Sequence, residues 1–132
     1  MSNIHTKNES QIIHRDLKVV WHPCTQMKDH EKIPMIPVKK GKGVWLTDYN
    51  NNKYIDAISS WWVNLFGHSN TYINNKITKQ LKNLEHVLLA GFTHMPAIQL
   101  AERLINISPN KIKKCFFTDN GSSAIDAAMK MS

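Results

Sequence analysis

The chain has 132 residues, an apolar fraction of 42% and a formal charge of +7, which is apolar material enough for a core. The charge comes from fifteen lysines and two arginines, Arg15 and Arg103, spread along the chain; without a basic stripe it reads as a solvated surface and not as a nucleic-acid interface. Cys24 and Cys115 lie far apart and form no CxxC pair, so neither a disulfide framework nor a zinc site is suggested, and the polar start carries no signal peptide and leads into no long apolar run; a reducing cytoplasm and no membrane contact are expected.

Residues 1–17 are polar, show no clear periodicity and read as a flexible arm or a segment ordered by a partner. In VVWHPCTQM, from Val19 to Met27, Pro23 favours extended geometry at His22 and Trp21 offers an apolar anchor, so this segment is expected to be pinned onto the body of the protein. Residues 28–42 form a charged loop that runs into a flexible Gly41-Lys42-Gly43. Two β-rich runs, Val44 to Thr47 and Lys53 to Ala57, flank an asparagine-rich turn and predict an antiparallel hairpin.

SSWWVNLFGH, residues 59–68, holds adjacent tryptophans. In an extended strand they face opposite sides, so at most one of Trp61 and Trp62 lines a pocket; plain core packing is an equal reading. Asn70 or Thr71 opens an amphipathic helix on Ile73, Ile77, Leu81 and Leu84. After a break at Gly91, Pro96 starts a second helix whose buried stripe is Ala97, Leu100, Ala101 and Leu104, with Pro109 just past its end. No histidine falls in an HExxH pattern or among acidic residues at ligand spacing, so no metal is expected.

Lys114 to Met131 reads as a strand, a turn and a helix: an apolar run Cys115-Phe116-Phe117, a polar turn from Thr118 to Gly121, then helical character from Ser122. Such a unit is a ready anion site, because the first helical N–H groups lack partners and the helix dipole favours negative charge. Gly121 permits close backbone approach, and Ser122 or Ser123 either caps the helix or gives a hydroxyl to a phosphate. An ordinary turn with a serine cap has the same sequence, and both readings stand on Asn-Gly-Ser-Ser alone. A strand at 115–117 needs parallel neighbours that the chain does not supply, and the last helix has no stop signal; the expectation is an N-terminal fragment of a larger α/β protein. Its expected parts are the arm at 1–17, a segment at 18–68 containing the hairpin, and the start of a large domain at 69–132.

Four blocks in order, WHPCTQM, DAISSWWVNLFGH, LEHVLLAGFTHMPA and FFTDNGSSAIDAAMKMS, resemble the 7,8-diaminopelargonic acid aminotransferase family of biotin synthesis. The resemblance implies a fold type I, class III transaminase dependent on pyridoxal 5'-phosphate. This chain would form its N-terminal part, a small antiparallel subdomain followed by the start of the large α/β domain. It further implies a homodimer that turns 8-amino-7-oxononanoate into 7,8-diaminononanoate. Gly121 and Ser122 match the positions that hold the cofactor phosphate, and Trp61 matches a residue lining the substrate pocket. The Schiff-base lysine of the family lies beyond this stretch, so no catalytic residue is expected here. Cys24 stands where the family usually has a tyrosine that stacks on the S-adenosylmethionine donor. A thiol offers far less stacking surface, so lysine stays open as an alternative donor. An ornithine or 4-aminobutyrate aminotransferase, an inactive product and a basic nucleic-acid-binding module are the competing readings.

Overall fold

The computed structural model describes residues 7–33 and 35–132. They form two compact units, one up to Gln80 and one from Leu81.

The first unit opens with helix α1, Lys7–Val19. On it Glu9 is buried and Ile12, Ile13, Asp16 and Leu17 are half-buried, the i, i+3, i+4, i+7, i+8 stripe of an amphipathic helix. The reading of this stretch as lacking periodicity is corrected: two of the five stripe positions are acidic and escape a search for apolar residues. Both carboxylates have partners that suit them. Asn50 Nδ2 donates to Glu9, and Asp16 Oδ2 lies 2.5 Å from His22 Nε2. The part of the expected arm at residues 1–6 lies outside the described residues. His22, rather than the expected Trp21, attaches this segment to α1: Trp21 is 87% exposed.

After a 3-10 turn at Met27–Glu31 come three strands, β1 (Val38–Lys42), β2 (Trp45–Asp48) and β3 (Lys53–Ile55), in an antiparallel sheet of order β1-β2-β3. The expected hairpin is β2–β3, with Leu46 opposite Tyr54. Strand β1 corrects the reading of 28–42 as loop and of Gly41 as flexible: Gly41 pairs with Leu46, and its lysines had hidden the strand pattern. The β2–β3 turn is organised by Asp48, whose Oδ1 accepts from the N–H groups of Asn50 and Asn52, both at 2.8 Å. Its Oδ2 accepts from Asn52 Nδ2 and the Tyr54 hydroxyl, both at 2.9 Å. Asn51 takes the left-handed position with φ 66°, a conformation asparagine tolerates well. Burial of Asp48 works against its charge, but the hydrogen bonds from Asn52, Tyr54 and Asn50 prevail and its pKa falls below 3.8.

Helix α2, Ser59–Trp62, is a single turn, and α3 spans Thr71–Leu81. Asn70 caps α3 by accepting from Ile73 N at 3.1 Å, and Leu84 falls beyond the end of the helix. In the second unit α4 is Met95–Ile107 and α5 is Gly121–Met131. His94 caps α4 through Nδ1, with Pro96 in its first turn. The expected stripe on α4 is rotated: Ala97, Ala101 and Ile105 are half-buried while Leu100 and Leu104 are exposed.

Residues 115–117 lie in an irregular segment without ladder partners among the described residues, which corrects the expected strand; Phe116 is 75% exposed, and Cys115 Sγ points to the Ala101 carbonyl at 3.8 Å. Among the described residues no apolar side chain is fully buried, and no helix is long and apolar enough to cross a membrane.

Candidate functional site

On the first unit the chemistry gathers around the tryptophan pair. Ser59, Ser60, Trp61 and Trp62 all have positive φ, at 49°, 48°, 60° and 73°. Helix α2 is therefore a left-handed turn and not the extended strand assumed for the pair. Both rings are open to solvent, Trp61 at 63% and Trp62 at 76%. A left-handed helical residue costs about 1–2 kcal/mol, and bulky side chains are true outliers there. Something must hold the turn.

Asp56 does so. Its Oδ1 accepts from Ser60 N at 2.9 Å and its Oδ2 from Ser60 Oγ at 2.7 Å. On the other side His68 Nε2 lies 2.7 Å from the same Oδ2. An ionised carboxylate only accepts, so Nε2 carries the proton, and Nδ1 is left to accept from Asn64 Nδ2 at 3.4 Å. Hydrogen bonds from the Ser60 hydroxyl and N–H, then from His68, hold the Asp56 carboxyl down to about 2 from 3.8.

His68 is fixed in turn to the sheet. Its backbone exchanges two hydrogen bonds with Gly43, at 2.8 and 2.9 Å, and its ring lies over Gly41. Gly67 makes that approach possible with φ +79°, and a Cβ on it would stand 3.0 Å from Gly43 Cα.

Cys24, expected beside the donor, is exposed with φ 58° and lines an open groove of about 920 Å³ with Thr25, Gln26, Asp29, His30 and Ile33.

On the second unit, Gly121 and Ser122 are the first two residues of α5. The cap is Asn120, whose Oδ1 accepts from Ser123 N at 2.8 Å and whose carbonyl accepts from Ala124 N at 3.2 Å. This corrects the assignment of capping to Ser122 or Ser123. The cap leaves the N–H groups of Gly121 and Ser122 and the Ser122 hydroxyl without a partner among the described residues. A Cβ on Gly121 would meet nothing within 4 Å, and both Gly121 and Ser122 are exposed. Two adjacent N–H groups, a hydroxyl and a helix dipole suit a phosphate group.

Asp56, Ser60, His68 and Asn120 were missed in the sequence. The spacing of Asp56 and Ser60, four apart around a turn, and of Asn120 three before Ser123 was the available signal.

Residues 25–132 match the class-III aminotransferase family model, and the chain belongs to that family. Its architecture is that of the N-terminal part of the class III, pyridoxal-phosphate-dependent fold. It is 53% identical over 117 residues to the adenosylmethionine-8-amino-7-oxononanoate aminotransferase of Helicobacter pylori, an alignment that takes in 89% of this chain and 26% of that protein. The crystal structure of the enzyme of that name from Methanocaldococcus jannaschii superposes with a TM-score of 0.87 at 37% identity, over 93% of this chain and 28% of the other. An omega transaminase from Pseudomonas jessenii, in complex with PMP, gives a TM-score of 0.81 at 30% identity, over 91% and 27%. The chain thus spans about a quarter of the length of the relatives it matches.

Proposed function

We propose that the chain is part of a transaminase dependent on pyridoxal 5'-phosphate that converts 8-amino-7-oxononanoate to 7,8-diaminononanoate in the cytoplasm, as a homodimer. The observation that carries this reading is the coincidence of two facts. Relatives 53% and 46% identical bear the name adenosylmethionine-8-amino-7-oxononanoate aminotransferase, and the two residues whose N–H groups remain open at α5, Gly121 and Ser122, are those expected to hold the phosphate.

When bound, the cofactor serves as the electron sink that lets nitrogen pass from a donor amine to a ketone. Gly121 and Ser122 hold its phosphate through their N–H groups, and Ser122 adds its hydroxyl. Trp61 presents an indole face to the apolar chain of the keto acid. The Schiff-base lysine belongs to the part of the family's sequence not spanned here. Exposed Trp21, Trp61, Phe66 and Phe116 support a reading in which further protein surface covers this one.

S-adenosylmethionine is the proposed donor. Cys24 is the observation favouring lysine as the second reading, since the groove it lines offers a thiol where an adenine would need a stacking ring. The test is incubation of the intact protein with 8-amino-7-oxononanoate and each donor in turn, with 7,8-diaminononanoate followed by mass spectrometry. Product with S-adenosylmethionine is expected; product with lysine alone would transfer the donor role, and none with either would overturn the function.

A further inference from the structure

We propose that Asp56, clamped by His68, is a positioning residue for substrate binding: it fixes the left-handed turn Ser59–Trp62 and with it the place of Trp61. The inference rests on Trp61 lining the substrate pocket. Four consecutive non-glycine residues at positive φ persist only where the surroundings over-determine them. Within this chain packing of the rings is not what does so, since both tryptophans are largely exposed.

Beyond the backbone bonds that close the turn, Trp62 N to Ile58 O and Asn64 N to Ser59 O, the hold from outside is a line of polar contacts that starts in the sheet. Gly43 and His68 exchange backbone hydrogen bonds, His68 reaches Asp56 Oδ2, and Asp56 N donates to Val44 O at 2.9 Å. Asp56 therefore has its backbone and its carboxylate tied to the β1–β2 hairpin from two directions. Its remaining acceptor capacity goes to the N–H and hydroxyl of Ser60, the residue directly before Trp61. Charge-assisted hydrogen bonds of this kind are roughly twice as strong as neutral ones. The Asp56 side chain is 6% exposed and His68 16%, so water competes little for them. Aspartate is required because only a carboxylate accepts from all three donors at once.

The test uses the intact protein with Asp56→Asn, which keeps the shape but turns one acceptor into a donor. Near-ultraviolet circular dichroism reads the tryptophan turn, and steady-state kinetics read its use. The turn's signal is expected to fall, with KM for the keto acid raised about tenfold, kcat changed less than about twofold and the cofactor retained. Adding Ser59→Gly, which makes positive φ cheap at a residue outside the carboxylate's hydrogen bonds, should restore both readouts in part. An unchanged dichroism signal, or no rescue, would overturn the proposal. So would an unchanged KM in Asp56→Asn while Trp61→Ala raises it. If Trp61→Ala itself leaves KM unchanged, the substrate reading of Trp61 fails, while a lost and rescued dichroism signal still upholds Asp56 as the holder of the turn. Should Asp56→Asn not fold, Ser59→Gly alone decides: a raised thermal midpoint supports a strained turn held from outside, and a lowered one contradicts it.

Discussion

The imidazole of His68 occupies the space that a side chain on Gly41 would need. A Cβ built there would stand 2.7 Å from His68 Cγ and 2.8 Å from His68 Cβ, well inside contact distance. Strand β1 therefore carries glycine at this position so that the ring can lie across the hairpin and reach Asp56. Gly41→Ala should force the ring away and cost about 1–3 kcal/mol, as overpacking does. The check is a urea titration alongside near-ultraviolet dichroism: both stability and the tryptophan signal should fall, whereas a wild-type midpoint would refute the close approach.

Acid should release the turn in a defined window. The Asp56 carboxyl is held down to about 2 from 3.8; a depressed folded-state pKa contributes stability that is fully present above the unfolded value and is lost as pH falls through the folded one. The tryptophan signal should thus be constant above about pH 5 and decline between about pH 4 and pH 2. In Asp56→Asn that limb should flatten; an acid limb identical to wild type would assign the transition to another carboxylate.

At α5, cap and anion site separate cleanly. Asn120→Ala removes the acceptor for Ser123 N and should cost about 1 kcal/mol of stability, read as a lower thermal midpoint. Gly121→Ala should act in the opposite sense on stability, gaining up to about 0.5 kcal/mol, because the added methyl meets no neighbour and alanine is the better helix former. Helical Cβ atoms point toward the N-terminus, so the same methyl should intrude on the phosphate and weaken cofactor retention. Retention equal to wild type would move the phosphate elsewhere.

Trp61→Ala should raise KM for the keto acid by about tenfold, from the loss of one aromatic contact face, and leave cofactor content unchanged. Loss of cofactor together with substrate affinity would mean that the turn supports the cofactor instead.

The particular residues show why some of this was legible in the sequence. The β2–β3 hairpin and helices α3, α4 and α5 announced themselves through asparagine turn chemistry, apolar spacing and Pro96. Helix α1 was hidden because Glu9 and Asp16 occupy its inward stripe, and their acceptability depends on Asn50 and His22, partners that periodicity cannot reveal. Strand β1 was hidden by its lysines and by Gly41, whose absent side chain serves His68, a residue far along the chain. The left-handed turn at the tryptophans carries no glycine to betray it. Its conformation is set by Asp56, and only the assembled network shows that. Gly121 and Ser122 were picked out by chemistry that the structure shares with many helix N-termini, and the resemblance to the family is what proposes a specific ligand for them.

The most direct measurement of the central claim is the pyridoxal 5'-phosphate retained by the intact protein after exhaustive dialysis, for wild type and for Ser122→Ala. Near-stoichiometric cofactor is expected in wild type, with a dissociation constant raised about tenfold or more in Ser122→Ala, the effect of losing a hydrogen bond to a charged group. A wild-type protein that binds no cofactor, or a variant that holds it equally well, would contradict that claim.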